Sequence, residues 1–268
     1  MSNILNDIVA KRKQTVAKLK SVVPIEAWER MPLFSKKCIS LNQNLSNDNL
    51  TGIIAEFKRA SPSRGVINDS AELFKVVSEY EMYGAVGISI LTEPIFFNGN
   101  NDDILCVAGM LKTPILRKDF IFDEYQLLEA KAIGADVILL IAASLAPTEV
   151  KKLAGFAKNI GLEVLLEVHN EEELQHICDE IDMVGVNNRN LKTFEVSIDT
   201  SLELINKIPT SKTVITESGI SNVETIVTLK QAGYKGFLIG ETFMKEPDPG
   251  KAFKNFVDKL KTLINPDL

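Results

Sequence analysis

Gly52-Ile53-Ile54-Ala55-Glu56-Phe57-Lys58-Arg59-Ala60-Ser61-Pro62-Ser63-Arg64-Gly65 opens as an apolar run and ends in charges, serines and a glycine. From Thr51 onward such short β-branched or apolar runs alternate with amphipathic stretches, which predicts parallel βα units rather than an antiparallel sheet. Strands are predicted at 52–57, 86–91, 114–117, 137–141, 163–168, 183–187, 213–216 and 236–239. Helices are predicted after each, at 71–83, 102–111, 124–133, 147–160, 171–180, 200–207, 223–232 and 249–263. Eight units specify a closed (β/α)8 TIM barrel rather than a doubly wound sheet.

The punctuation agrees with that count. Ser221 and Asn222 offer N-cap oxygens, Gly134, Gly161 and Gly233 suit left-handed C-terminal positions, and Pro147 suits a first helical turn. Before the barrel, Ile4, Leu5, Ile8, Val9, Val16 and Leu19 recur at helical spacing over 4–19, and a second short helix is predicted over 25–34. The expected organisation is one domain over 1–268, with 1–50 as an N-terminal helical extension packed on the barrel. No linker or low-complexity tract follows Leu263, so no fused second enzyme is expected.

Composition narrows the function classes. A chain of 268 residues, 45% hydrophobic and 25% charged, can bury a substantial core, which excludes disorder. A net charge of -6 and the lack of a Lys/Arg block with interleaved aromatics argue against a nucleic-acid partner. The stretch 1–20 carries Lys and Arg among its apolar residues, so it reads as neither signal peptide nor membrane span, and a cytoplasmic protein is expected. Cys38, Cys106 and Cys178 are far apart and read as buried, reduced thiols. No His, Cys and carboxylate cluster stands at ligand spacing, and no GxGxxG or GxxxxGK[ST] pattern is present, so no metal or cofactor is expected.

In a βα barrel, functional groups stand at the C-terminal strand ends. The first strand ends in Glu56 and Lys58, the third in Lys118, the fifth in Glu167, the sixth in Asn187 and Arg189, and the seventh in Glu217 and Ser218. Alternation puts Glu56 and Lys58 on the face of Ile54 as a close ion pair, and turns Lys118 and Glu167 inward with Leu116 and Leu165. Several strands thus aim ionisable groups at one cavity. Glu217, Ser218 and Gly219 after the seventh strand, with Gly240 and Glu241 after the eighth, form a second constellation where barrels bind phosphate. His169, just past Glu167, and His176, in the following helix, read as surface residues.

The segment from Glu56 to Gly65 resembles the E-x-K-x-x-S-P-S-x-G signature of indole-3-glycerol-phosphate synthases, and Leu116 to Phe120 resembles their L-x-K-D-F. Further matches are Leu91-Thr92-Glu93 with Phe96 and Phe97, Leu166-Glu167-Val168, Gly185 to Leu191, Glu217 to Ile220, and Leu238 to Glu241. They cover essentially the whole barrel. Two positions depart from the pattern: Asn100 and Glu241 stand where the family often has serine, so any phosphate contact at Glu241 should come from its backbone amide.

The resemblance implies conversion of 1-(2-carboxyphenylamino)-1-deoxyribulose 5-phosphate to indole-3-glycerol phosphate, with loss of carbon dioxide and water. It implies Lys118 as general acid and Glu167 as base, with Glu56, Lys58, Asn187 and Ser218 completing the catalytic set. The dehydration acid is left open between Lys58 and Lys118. Arg189 and Ser61 would meet the anthranilate carboxylate, and Leu91, Phe97, Phe120 and Leu139 would form an apolar wall for the aryl ring. Ser218, Gly219, Gly240 and Glu241 would hold the phosphate, with Lys58 helping. The implied partner is a small phosphorylated substrate, with no nucleic acid or membrane, and the chain a monomer or weak homodimer. Rival readings are another phosphate-binding barrel, such as a phosphoribosylanthranilate isomerase or a sugar-phosphate epimerase, and a catalytically silent sensor. The first lacks the 56–65 segment, and the second has no need of four matched acid/base groups.

Overall fold

A computed structural model describes residues 4–264, so both ends of the expected 1–268 domain, and residues 1–3 of the 1–50 extension and the 1–20 stretch, lie outside the described residues. Among the described residues eight parallel strands close a barrel: β1 (Ile53–Phe57), β2 (Gly87–Leu91), β3 (Ile115–Lys118), β4 (Val137–Ile141), β5 (Glu163–Val168), β6 (Met183–Asn187), β7 (Thr213–Glu217) and β8 (Gly236–Ile239). Each strand pairs with its neighbours in sequence, and β1 closes on β8 through Ile53 opposite Phe237. The result is the predicted TIM barrel.

Residue type explains the two apolar layers. Ile54, Leu116, Leu139, Leu165, Met183, Ile215 and Leu238 point inward and form one buried cluster. Ile53, Ala55, Phe57, Ile88, Ile138, Leu166 and Val184, in the alternate phase, pack outward against the helices. Most barrel strands are therefore apolar on both faces, which accounts for unbroken runs in place of alternation.

The extension comprises α1 (Ile4–Val22), α2 (Ile25–Glu29) and α3 (Leu41–Leu45). The last of these, absent from the sequence reading, plugs the N-terminal end of the barrel. Leu41 and Leu45 join the inward cluster, and a Cβ on Gly87 or Gly236 would meet them at 2.7 and 2.9 Å. Glu163 holds the plug by accepting hydrogen bonds from Ser40 Oγ and from the amides of Leu41 and Asn42.

Outside the strands lie α4 (Leu73–Met82), α5 (Asn101–Val107), α6 (Glu124–Ile133), α7 (Pro147–Asn159), α8 (Asp199–Leu204), α9 (Val223–Ala232), α10 (Glu241–Met244) and α11 (Pro249–Ile264). Gly134 and Gly233 end α6 and α9 at φ of 93° and 116°. The helix predicted at 171–180 is instead a 3-10 turn, Glu171–His176. His176 Nδ1 lies 2.9 Å from the Glu173 carbonyl that an α-helix would give to the amide of Ile177, and that amide donates to Leu174 instead. The cysteines are free, but only Cys38 and Cys178 are partly buried. Cys106 is exposed because α5 buries the face carrying Asp103, Ile104 and Val107.

Candidate active site

In a (β/α)8 barrel, alternate strands contribute the side chains of one interior layer. Above Ile54, Leu116, Leu165 and Ile215, the odd strands raise Glu56, Lys118, Glu167 and Glu217 as the top layer. Two glycines, Gly185 on β6 and Gly240 just past β8, leave room for them. A Cβ on Gly185 would meet Glu217 Oε1 at 3.3 Å, and one on Gly240 would meet Glu56 Oε1 at 2.5 Å. Gly240, expected to admit phosphate, thus also makes space for a carboxylate at ordinary negative φ.

Lys118 is the centre of the layer. Its Nζ donates to Glu167 Oε2 and to Glu217 Oε2, both at 2.8 Å. Burial alone would lower its pKa, but Glu167, Glu217 and Glu56 outweigh burial and hold the ammonium well above its usual range. Glu167 feels the same burial, which would raise it, yet Lys118 and His169 hold it well below the usual carboxylate range. Among the described residues Glu217 has no second cation beside it. Burial and the charge of Glu167 push it up to about 7, and its Oε1 is buried without a hydrogen-bond partner among the described residues. Glu217 was read as part of the phosphate constellation, but the β7 register turns it inward to Lys118 instead. Just above the layer, Lys58 Nζ sits 2.6 Å from Glu56 Oε1, the ion pair that strand alternation predicts.

The cavity over this layer measures about 680 Å³. Every residue singled out from the sequence lines it: the ionic set with Asn187 and Arg189, Ser61 from the first loop, the wall of Leu91, Phe97, Phe120 and Leu139, and Ser218, Gly219, Gly240 and Glu241 at the last two strands. Phe97 and Phe120 meet with ring centroids 6.1 Å apart. Ser218 and Gly219 both adopt left-handed backbone, at φ of 68° and 78°. Asn188 fixes that turn by donating to Thr216 Oγ1 and to the Ser218 carbonyl, both at 3.0 Å. Glu241 directs its carboxylate to Arg64, 3.0 Å away, so the loop after β1 reaches across to the turn after β8.

Several contributors escaped the sequence reading. From α1, Ile4, Leu5 and Ile8 line the cavity, and Arg12 on the same face is buried. Arg12 grips Asp119 through Nε at 2.9 Å and Nη2 at 2.7 Å, while Thr92 and Arg117 donate to the same carboxylate. Asp119 follows Lys118 directly, so this network anchors the strand end that carries the central ammonium. Glu93, fully buried, accepts from the amides of Ile95, Phe96 and Phe97 and so shapes the loop that presents Phe97. A charged residue at apolar phase in α1 was the available signal for Arg12.

Neither histidine is on the surface. His176 is buried beside the carbonyls of Glu173 and Leu145. The His169 side chain is 8% exposed, with Nε2 3.1 Å from Glu167 Oε1 and Nδ1 3.1 Å from Glu173 Oε2. The turn after β5 folds back, bringing Glu173 to the His169 amide and ring together.

Known proteins resemble this chain in family and in fold. A family model described as indole-3-glycerol phosphate synthase matches residues 5–256. An indole-3-glycerol phosphate synthase from Bacteroides thetaiotaomicron is 44% identical over 261 residues, covering 97% of this chain and 100% of the relative. One from Campylobacter jejuni subsp. doylei is 43% identical over 256 residues, covering 94% and 98%. Among solved structures, 3-hexulose-6-phosphate synthase from Salmonella typhimurium overlays with a TM-score of 0.62 at 14% identity, over 78% of this chain and 98% of that one. Tryptophan synthase subunit alpha from Legionella pneumophila gives 0.61 at 14% identity, over 84% and 97%. At such identities these two speak for the barrel fold alone.

Proposed function

The chain belongs to the indole-3-glycerol phosphate synthase family, and from that membership we propose how its barrel mouth closes an indole ring. The reaction is the carboxy-lyase step of tryptophan biosynthesis that converts 1-(2-carboxyphenylamino)-1-deoxyribulose 5-phosphate to indole-3-glycerol phosphate, carbon dioxide and water. The observation that carries the assignment of roles is Lys118 Nζ, held 2.8 Å from both Glu167 and Glu217 at the floor of the cavity.

In the first step the ring carbon bearing the carboxylate attacks the ketone, and Lys118 delivers a proton to the oxygen that becomes the alcohol. The carbon-carboxylate bond then breaks, carbon dioxide leaves, and its electron pair restores the ring. Phe97, Phe120, Leu91 and Leu139 favour that step by stripping water from the carboxylate. In the dehydration the hydroxyl leaves as water with a proton from an acid, while Glu167 removes the proton whose loss completes the pyrrole. Lys58 is assigned as the dehydration acid. Lys118 has by then given up its proton, and Glu217, poised near neutrality, is placed to return one. Asn187, which donates to Glu167 Oε1 at 3.2 Å, orients that base, and Arg189 with Ser61 receives the anthranilate carboxylate. The phosphate rests on the backbone amides at Ser218, Gly219, Gly240 and Glu241. Ser218 belongs to the catalytic set through the strained turn it closes.

The chain is further proposed to act as one domain with the 1–50 extension packed on it, which the Arg12 to Asp119 pair supports. A monomer or weak homodimer is proposed, because this chain by itself supplies the acid/base layer, the apolar wall and the turns after β7 and β8. A cytoplasmic setting fits the free thiols. Among the described residues no helix is long and apolar enough to cross a membrane.

Incubation of the purified protein with the anthranilate-derived ribulose phosphate, followed by indole fluorescence, tests the reading. Product is expected from the native chain, and Lys118→Ala should lose about three orders of magnitude in turnover. Near-normal turnover in that variant would remove Lys118 from its role, and no indole from the native chain would remove the reading altogether.

A further inference from the structure

His169 is a neighbour of the acid/base layer that the reaction scheme leaves unused. His169 follows β5 one residue after Val168, and its ring is lodged between two carboxylates of different parentage: Glu167 on the strand and Glu173 on the 3-10 turn. Nδ1 and the His169 amide both meet Glu173 Oε2, at 3.1 and 2.8 Å, which fixes the ring plane. Nε2 is buried and faces Glu167 Oε1 at 3.1 Å, a contact of charge rather than a well-directed hydrogen bond.

The two oxygens of Glu167 are therefore served from opposite sides. Oε2 takes Lys118, and Oε1 takes Asn187 with His169 behind it. When Lys118 turns to the substrate oxygen, Oε2 becomes free to accept a proton. Asn187 is neutral, so the cation that then remains at Glu167 is His169.

We infer that His169 is a positioning residue for Glu167, clamped by Glu173 so that a cation stays beside the base after Lys118 has turned to the substrate. The inference rests on the reading of Glu167 as the base. Burial by itself would lower the His169 pKa, but Glu167 and Glu173 outweigh it and raise the ring to about 10, so it is an imidazolium at neutral pH. Its other side faces a second cavity of about 520 Å³, where Arg189, Lys192 and Glu195 are the further charged groups. Glu173 is the group nearest to the ring on that side, and its carboxylate favours the cation.

The test compares His169→Gln with the native chain. Glutamine keeps a neutral donor and loses the charge. The expected result is an unchanged KM and an acid limb of the kcat profile moved up by about one pH unit. A variant whose pH profile and kcat match the native chain would overturn the inference. A second readout does not depend on turnover: the chain has only two histidines, so ring NMR signals are assigned by the one lost in His169→Gln. The His169 ring should keep its imidazolium shift through neutral pH, and titration near the ordinary value of about 6.5 would overturn the inference. Glu167→Gln separates the premise. Its inactivity supports Glu167 as base, whereas full turnover would overturn that reading, and this inference with it, whatever the His169 ring does.

Discussion

Glu167 and Glu217 carry the same side chain and both touch Lys118 Nζ at 2.8 Å, yet they stand on opposite sides of the ordinary carboxylate range. The difference is the second cation, His169, which serves Glu167 alone. It makes one carboxylate a standing anion and the other a group that exchanges a proton near neutrality, the division of labour that an acid/base site needs. A stability prediction follows from Glu217. Its folded pKa, about 7, lies above the unfolded value, so the native state holds a proton that the unfolded chain has released. Stability from this group therefore falls as pH rises from the unfolded value through about 7. Glu217→Gln removes that penalty, so its urea midpoint relative to the native chain should rise between about pH 5 and pH 8. A difference that stays flat across that range would contradict the raised pKa. Strand alternation made the inward set of Glu56, Lys118 and Glu167 readable in the sequence. The roles of His169 and Glu217 were not, because they depend on which carboxylate lies across the cavity or on the next turn.

At the scale of elements, the barrel couples its extension to its chemistry through one buried arginine. Arg12 lies on the apolar face of α1 between Ile8 and Val16 and reaches Asp119, beside Lys118. Truncation would leave a buried carboxylate with Arg117 as its remaining close cation, so Arg12→Ala should cost about 3 kcal/mol in chemical denaturation and lower kcat as well. Unchanged stability would mean that Asp119 is satisfied without α1. Just past β8 the controlling residue is Gly240. Gly240→Ala would push a methyl to within 2.5 Å of Glu56 Oε1, breaking the geometry of its pair with Lys58. Kinetics should show kcat falling by at least about tenfold in a chain that still folds. Retention of full kcat would show that Glu56 can move without cost. The strands and the capped helices were predictable because propensity, caps and apolar phase all act within a few residues. The 3-10 turn at Glu171–His176 was not, because a histidine ring beside the Glu173 carbonyl decides it.

Across the whole molecule a net charge of -6 coexists with cations at the main cavity: Lys58, Lys118 and Arg64 stand against Glu56, Glu167, Glu217 and Glu241, while Arg189 and Lys245 line it with no ion pair among the described residues and leave a local positive field. A substrate carrying both phosphate and carboxylate should therefore bind more weakly as salt screens that field, and KM should rise with ionic strength. A KM that does not move between low and high salt would place the attraction in contacts too short to screen. The eight-fold alternation of apolar runs, the inward phase of the strand-end charges and the segment from Glu56 to Gly65 together determined the barrel, the place of the site and the family, since each is a local pattern written along the chain. Closure decided the rest. Only when β1 meets β8 does Gly240 come to lie against Glu56 and Arg64 reach Glu241, and only when α1 folds over the rim does Arg12 find Asp119. Those contacts join residues more than a hundred positions apart, and electrostatics between such partners depends on distances that no local pattern encodes.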